Sequence, residues 1–185
     1  MLERLNSEGK KVLVFSYFSD TVEFMEKTLP NVCGFVNEKN TAFTTNKNKK
    51  EIEQLAGRFS PLSKRYEFKS GESELQFLFS TDVLSEGQNL QDCSILVNYD
   101  LHWNPVRMIQ RNGRINRLGS KHESVHIYNL CPANEIEAYL KLEDRLKQKI
   151  EMIKHSIGTD QSILGEEENA IEFNEDLSFV DNKKV

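Results

Sequence analysis

Residues 110–120, QRNGRINRLGS, place Arg111, Arg114 and Arg117 three residues apart behind Gln110. Guanidinium stays charged at every working pH, and its planar fork gives paired hydrogen bonds to carboxylate or phosphate oxygens. On a helix this spacing makes a solvated or phosphate-contacting face, the blander reading, or a site aimed at one anion. The chain is acidic, with a net charge of −5, so these arginines are not part of a general basic surface. A second group lies upstream in STDVLSEGQNL. There Ser80 and Thr81 offer hydroxyls to phosphate, and Asp82 and Glu86 can position cations or amides. Gly87 allows close approach of backbone to a ligand. His102, His122, His126 and His155 lack metal spacing and read as structural or exposed, so no metal site is expected.

The elements that must position these groups can be read from the apolar pattern. KVLVFSYF (11–18) is a short Val- and Phe-rich run, as a buried strand requires. Ser19 or Asp20 then caps a helix through TVEFMEKTL, with Val22, Phe24, Met25 and Leu29 on one face. NVCGFV predicts a second strand, 37–50 a polar loop, KKEIEQLAGRF a helix, and 60–73 an exposed connection. LQFLFSTDV (75–83), SILVNY (94–99) and VHIYNL (125–130) predict three more strands. Pro105 suits the first turn of a helix carrying the arginines, and Gly119 its stop. Apolar strands alternating with helices give a mostly parallel sheet flanked by helices, an α/β fold ordered like a RecA-like lobe. Ligands of such sheets bind at the carboxyl ends of the strands, where both motif groups fall.

After Pro132, Ile136, Leu140, Leu146, Ile150, Ile153 and Ile157 recur near helical spacing, which predicts a long C-terminal helix packed on the sheet. The division is a lobe at 1–132, the helix at 133–158 and an acidic, flexible tail at 159–185. That tail holds eight acidic residues against two lysines, −6 in all, leaving residues 1–158 at +1. A body this near neutrality leaves a nucleic-acid partner open. No apolar run approaches the roughly 18 residues of a membrane helix, and residues 1–10 lack the apolar core of an export signal. Cys33, Cys93 and Cys131 are widely spaced, as reduced cytoplasmic thiols are, and exclude a CxxC zinc site.

VLVFSYF, STDVLSEGQNL and QRNGRINRLG, in this order and at these gaps, resemble motifs IV, V and VI of superfamily-two helicases. The resemblance covers residues 11–130, and the strand end DLHWNP looks most like Swi/Snf-type DNA translocases. It implies the second, C-terminal RecA-like lobe of an ATP-dependent motor. It also implies roles: Arg114 and Arg117 as arginine fingers, Gln110 organising the nucleotide cleft, and Gly87 and Asn89 lining it. Ser80 and Thr81, with Ser16 from motif IV, would hold the nucleic-acid backbone. Arg111, about 60° around the helix from Arg114, would contact the cleft rim or an acidic neighbour such as Asp100. Trp103 reads as a core or interlobe packing residue. Gly119-Ser120 stands where Swi/Snf proteins have Gly-Gln, and Ser85-Glu86 where they have small residues, which points to a relative of bacterial kind.

No stretch matches GxxxxGK[ST], and no DExx acid follows a suitable strand. The chain therefore carries half of an ATPase site and is expected to be inactive alone. ATP and Mg2+ would bind only with an N-terminal RecA-like lobe of the same protein, and duplex DNA is the expected second partner. The rival expectation is a non-catalytic nucleic-acid or protein interaction module that keeps the RecA-like fold.

Overall fold

The computed structural model describes residues 1–84, 88–102, 104–117, 120–130, 148–149 and 151, and the backbone of 179–184. The predicted helix at 133–158 lies outside the described residues, apart from three isolated positions; Trp103 and Gly87 also lie outside.

Helix α1 (Leu2–Ser7) leads into β1 (Val12–Phe15), α2 (Ser19–Val32), β2 (Thr41–Phe43), α3 (Lys49–Phe59) and α4 (Pro61–Lys64). Strand β3 (Phe77–Ser80), a 3-10 turn (Asp82–Leu84), β4 (Ile95–Asn98), α5 (Pro105–Asn112) and β5 (Val125–Leu130) follow. These strands form one sheet in the order β2-β3-β1-β4-β5, all parallel, with β6 (Phe179–Lys184) antiparallel on β5. Strand β6 falls within the acidic segment 159–185, whose other residues lie outside those described. Strand β1 is central: Val12 is level with Phe77 on one side and Ile95 on the other.

Both faces of the sheet are covered, so the strands are apolar without alternation. Leu13 and Phe15 pack on one face with Ala56, Phe59, Leu78, Leu96 and Ile115. Val12 and Val14 pack on the other with Val22, Met25, Phe77 and Ile95. Fully burying one such side chain stabilises by about 1.5–3 kcal/mol, and Phe15, Phe59 and Phe77 are each 0% exposed.

The second strand does not fall at NVCGFV but at Thr41–Phe43, inside the segment expected to be a loop. Helix α2 runs on through Pro30 to Val32, so it takes the first apolar residue of that run. Phe35 then packs on Phe77 with ring centroids 5.4 Å apart, from a turn rather than a strand. Three residues are too few to show a period, and β2 is held by non-local contacts, including Phe43 stacked on Phe79 at 4.8 Å.

Helix α3 has the bounds its sequence suggested. Asn48 accepts from Glu51 N at 3.0 Å while Glu51 returns a bond to Asn48 N at 2.8 Å, a complete capping box. The short α4, within the expected connection, is capped from afar: buried Asp92 accepts from Leu62 N at 2.7 Å and Ser63 N at 3.1 Å.

Candidate functional site

Strands β1, β3 and β4 end side by side, and their carboxyl ends carry Ser16, Thr81-Asp82 and Tyr99-Asp100. Helix α5 starts just beyond the last of these. Asn104 caps it by accepting from Val106 N at 3.1 Å, and Pro105 fills its first turn. Pro105, Met108 and Arg111 form its buried stripe. The helix stops at Asn112, with Gly113 as its cap, not at Gly119 as the sequence suggested. Glycine is a poor helix former, and fully buried Ile115 draws the next turn into the core. The three arginines therefore do not share one helix. Arg111 lies in its last turn, and Arg114 and Arg117 lie beyond its end.

Arg111 is 0% exposed. Its Nε donates to Asp82 Oδ1 at 2.6 Å and its Nη1 to Asn98 Oδ1 at 3.4 Å, with Asp100 Oδ1 3.8 Å away. The guanidinium carbon stands 5.4 Å over the Phe15 ring. Asp82 thus positions a cation, as its place in the sequence suggested, and Asp100 is the acidic neighbour expected for Arg111.

Arg114 is half-buried. Its Nε donates to the Gln110 carbonyl at 3.0 Å and its Nη1 to the Gln88 carbonyl at 3.3 Å. Leu90 N donates to the Arg114 carbonyl at 3.0 Å, which ties the chain after β3 to this turn. Arg117 is exposed, with Nε on the Gly113 carbonyl at 3.1 Å. Gln110 is half-buried, yet its Oε1 is buried without a hydrogen-bond partner. The same holds for Arg111 Nη2 and Asn112 Oδ1, so among the described residues three successive side chains keep a buried atom without a partner. Asn89 is half-buried and accepts from Gln91 N at 3.3 Å.

Ser16 and Ser80 are 1% and 0% exposed, so their hydroxyls face the interior and not a backbone at the surface. The reason is their position, at the ends of two neighbouring interior strands, β1 and β3. Ser16 Oγ donates to Asp100 Oδ2 at 2.5 Å, and Ser80 Oγ lies 2.9 Å from Thr44 Oγ1. Thr81, one residue on, is half-buried. Tyr17 N donates to both Asp100 oxygens, at 2.8 and 3.0 Å, and leaves Tyr17 and Phe18 exposed at the rim. The buried His102 ring packs edge-on against Tyr17 and accepts from Asn104 N at Nδ1, 2.9 Å away. Burial, and then the Arg111 charge, hold its pKa below the ordinary histidine value. The Ser16–Asp100 bond, the Asp92 cap and the Asn98–Asn129 pair were not foreseen, since each joins residues far apart in sequence.

A cavity of about 520 Å³, lined in part by Arg4, Lys10, Lys121 and His122, opens at the opposite, amino ends of the strands and contains none of the motif residues.

The family model described as the helicase conserved C-terminal domain matches residues 1–119. The chain belongs to that family. It is a second RecA-like lobe of superfamily two that resembles the Swi/Snf type. It is 44% identical over 92 residues to the uncharacterized ATP-dependent helicase YqhH of Bacillus subtilis (strain 168), covering 49% of this chain and 16% of that protein. It is 27% identical over 170 residues to the ISWI chromatin-remodeling complex ATPase ISW1 of Saccharomyces cerevisiae, covering 91% of this chain and 14% of that one. The crystal structure of the C-terminal part of the Fun30 ATPase domain shares the fold, with a TM-score of 0.59 at 19% identity, over 77% of this chain and 41% of that one. The chain thus spans about a sixth of the length of these curated relatives. Among the described residues, no helix is long and apolar enough to cross a membrane.

Proposed function

We propose that this helicase C-terminal lobe works as half of an ATP-dependent DNA translocase, closing on a nucleotide held by an N-terminal RecA-like lobe. Arg114 and Arg117 are the arginine fingers. Gln110, Asn89 and Gly87 line the cleft, and ATP with Mg2+ is the cofactor of the closed pair. Thr81 contacts the nucleic-acid backbone, while Ser16 and Ser80 fix the loops that present it.

The observation that carries this reading is the unequal placement of the three arginines, Arg111 buried in the last turn of α5 and the other two past its end. Arg111 is neutralised inside the lobe by Asp82 and Asp100. Arg114 and Arg117 sit past the helix end, and their Nε groups donate to neutral main-chain carbonyls. Those bonds orient the guanidinium planes at the end of α5. A preorganised cation of this kind stabilises charge that grows on a transferring phosphoryl group. Gln110 Oε1, buried and unsatisfied one helical turn before Arg114, supports a polar ligand at the same place.

The test is turnover in the protein that contains both lobes. Arg114→Lys and Arg117→Lys should each lower ATP hydrolysis by roughly 10³- to 10⁵-fold, the range for an arginine finger. ATP affinity, DNA affinity and melting temperature should stay near those of the parent, because a point charge lacks only the fork. Normal turnover in both variants refutes the assignment, and loss of turnover together with a lowered melting temperature makes the arginines structural.

A further inference from the structure

We propose that Arg111 is a positioning residue that couples the nucleic-acid-facing loops of the lobe to its nucleotide-facing turn, acting through Asp100 and Asp82. The inference rests on the readings of Arg114 and of Thr81 given above. Arg111 is three residues from Arg114, and Arg114 N donates to the Arg111 carbonyl at 3.0 Å. Its side chain meets the ends of three neighbouring strands: Asp82 beyond β3, Asn98 and Asp100 at and beyond β4, and Phe15 at the end of β1. Asp100 extends the connection. One carboxylate takes the Ser16 hydroxyl and the Tyr17 N–H, and so sets the loop from which Tyr17 and Phe18 project. Asp82 opens the 3-10 turn directly after Thr81.

One buried cation therefore fixes α5 against three loops, with Arg114 at one end of the connection and the exposed rim at the other. Stability alone does not account for it. Replacing a buried ion pair by apolar groups of similar volume is often neutral or stabilising. Nη2 is also buried and makes no hydrogen bond among the described residues. Coupling between distant sites is carried by packed side chains and ion-pair networks of this kind.

The experiment compares the parent, Arg111→Lys, Asp100→Asn, their double variant and Arg114→Lys in the protein that contains both lobes. Turnover is measured without DNA and with saturating duplex DNA, together with KM for ATP and the melting temperature. Arg111→Lys and Asp100→Asn should keep DNA-free turnover and KM near the parent values. They should lose the DNA stimulation by about tenfold, an ordinary size for coupling between sites. The double variant should be no worse than the more affected single one, since both changes break one clamp. Equal loss with and without DNA, unchanged stimulation, additive losses, or a parent that DNA does not stimulate would each overturn the proposal. If Arg111→Lys does not fold, Asp100→Asn decides by the same split. Full turnover in Arg114→Lys would strike the nucleotide reading instead, and is told apart because it leaves the Arg111 split untouched.

Discussion

Helices α3 and α5 stand on the same sheet, and their polar groups are treated in opposite ways. Around α3 the polar groups find partners within the lobe. Asn48 and Glu51 close a capping box, Asp92 caps the following turn, and Tyr66, seated over Gly57, donates to Glu72 at 2.9 Å. On α5, Gln110, Arg111 and Asn112 each keep a buried polar atom without a hydrogen-bond partner. An unsatisfied buried group costs about 1–3 kcal/mol, a cost that a site facing a ligand can recover. On the function proposed above, α3 is frame and the end of α5 is working surface.

The comparison can be broken most forcefully at Gly57. A Cβ there would stand 2.2 Å from a Tyr66 ring carbon, so Gly57→Ala must displace the ring and its bond to Glu72. Overpacking of this kind costs about 1–3 kcal/mol. Chemical denaturation should show the loss with turnover per folded molecule unchanged. In a Tyr66→Ala background the sign should reverse, because alanine outranks glycine in a helix by about 1 kcal/mol. A loss that persists without the ring would remove the packing explanation.

A matched pair sharpens the contrast. Asn48→Ala removes a satisfied cap and should cost about 1 kcal/mol of stability, leaving turnover alone. Gln110→Met replaces an unsatisfied buried acceptor by an apolar group of similar length. It should raise stability by about 1 kcal/mol while lowering turnover. Gains and losses of the same sign in both variants would mean that the two helices do not differ in kind.

The smallest effect concerns pH. His102 is held below its ordinary pKa by burial first and by the Arg111 charge second. An unfolded histidine titrates near pH 6.5. Between that value and the lower folded one, the unfolded chain binds more protons, so stability falls as pH drops from about 6.5 through the folded pKa. Melting temperature should therefore decline more between pH 7 and pH 5 in the parent than in His102→Asn. Parallel curves would show that His102 does not carry the difference.

Much of the frame was legible from residues alone. Continuous apolar runs gave β1, β3, β4 and β5, since a strand covered on both faces has no polar side to show. KKEIEQLAGRF reads as a helix from its residues, and α3 has those bounds. Strand β2 was not legible. Its three residues carry no period, and it exists because Thr41 can pair with Phe77 and Phe43 can stack on Phe79.

For the site, the sequence by itself determined which residue types stand where. Three arginines follow a capped Pro105 turn, and a hydroxyl and acid group follows an apolar strand. Their spacing put all three on one helix, with Arg111 about 60° from Arg114 and turned toward the cleft rim or an acidic neighbour such as Asp100. The tertiary structure decided that Arg111 is buried and that the helix ends before Arg114, because the fate of a charged side chain depends on which carboxylates the fold brings to it. Asp82 and Asp100 lie 29 and 11 positions before Arg111, and the parallel pairing of β3, β1 and β4 sets their strand ends beside α5. Gly113 and the burial of Ile115 end the helix between the first arginine and the second. That places Arg111 in the interior and leaves Arg114 and Arg117 at the edge of the lobe, since burying a guanidinium needs both carboxylates at once and only the sheet brings them together.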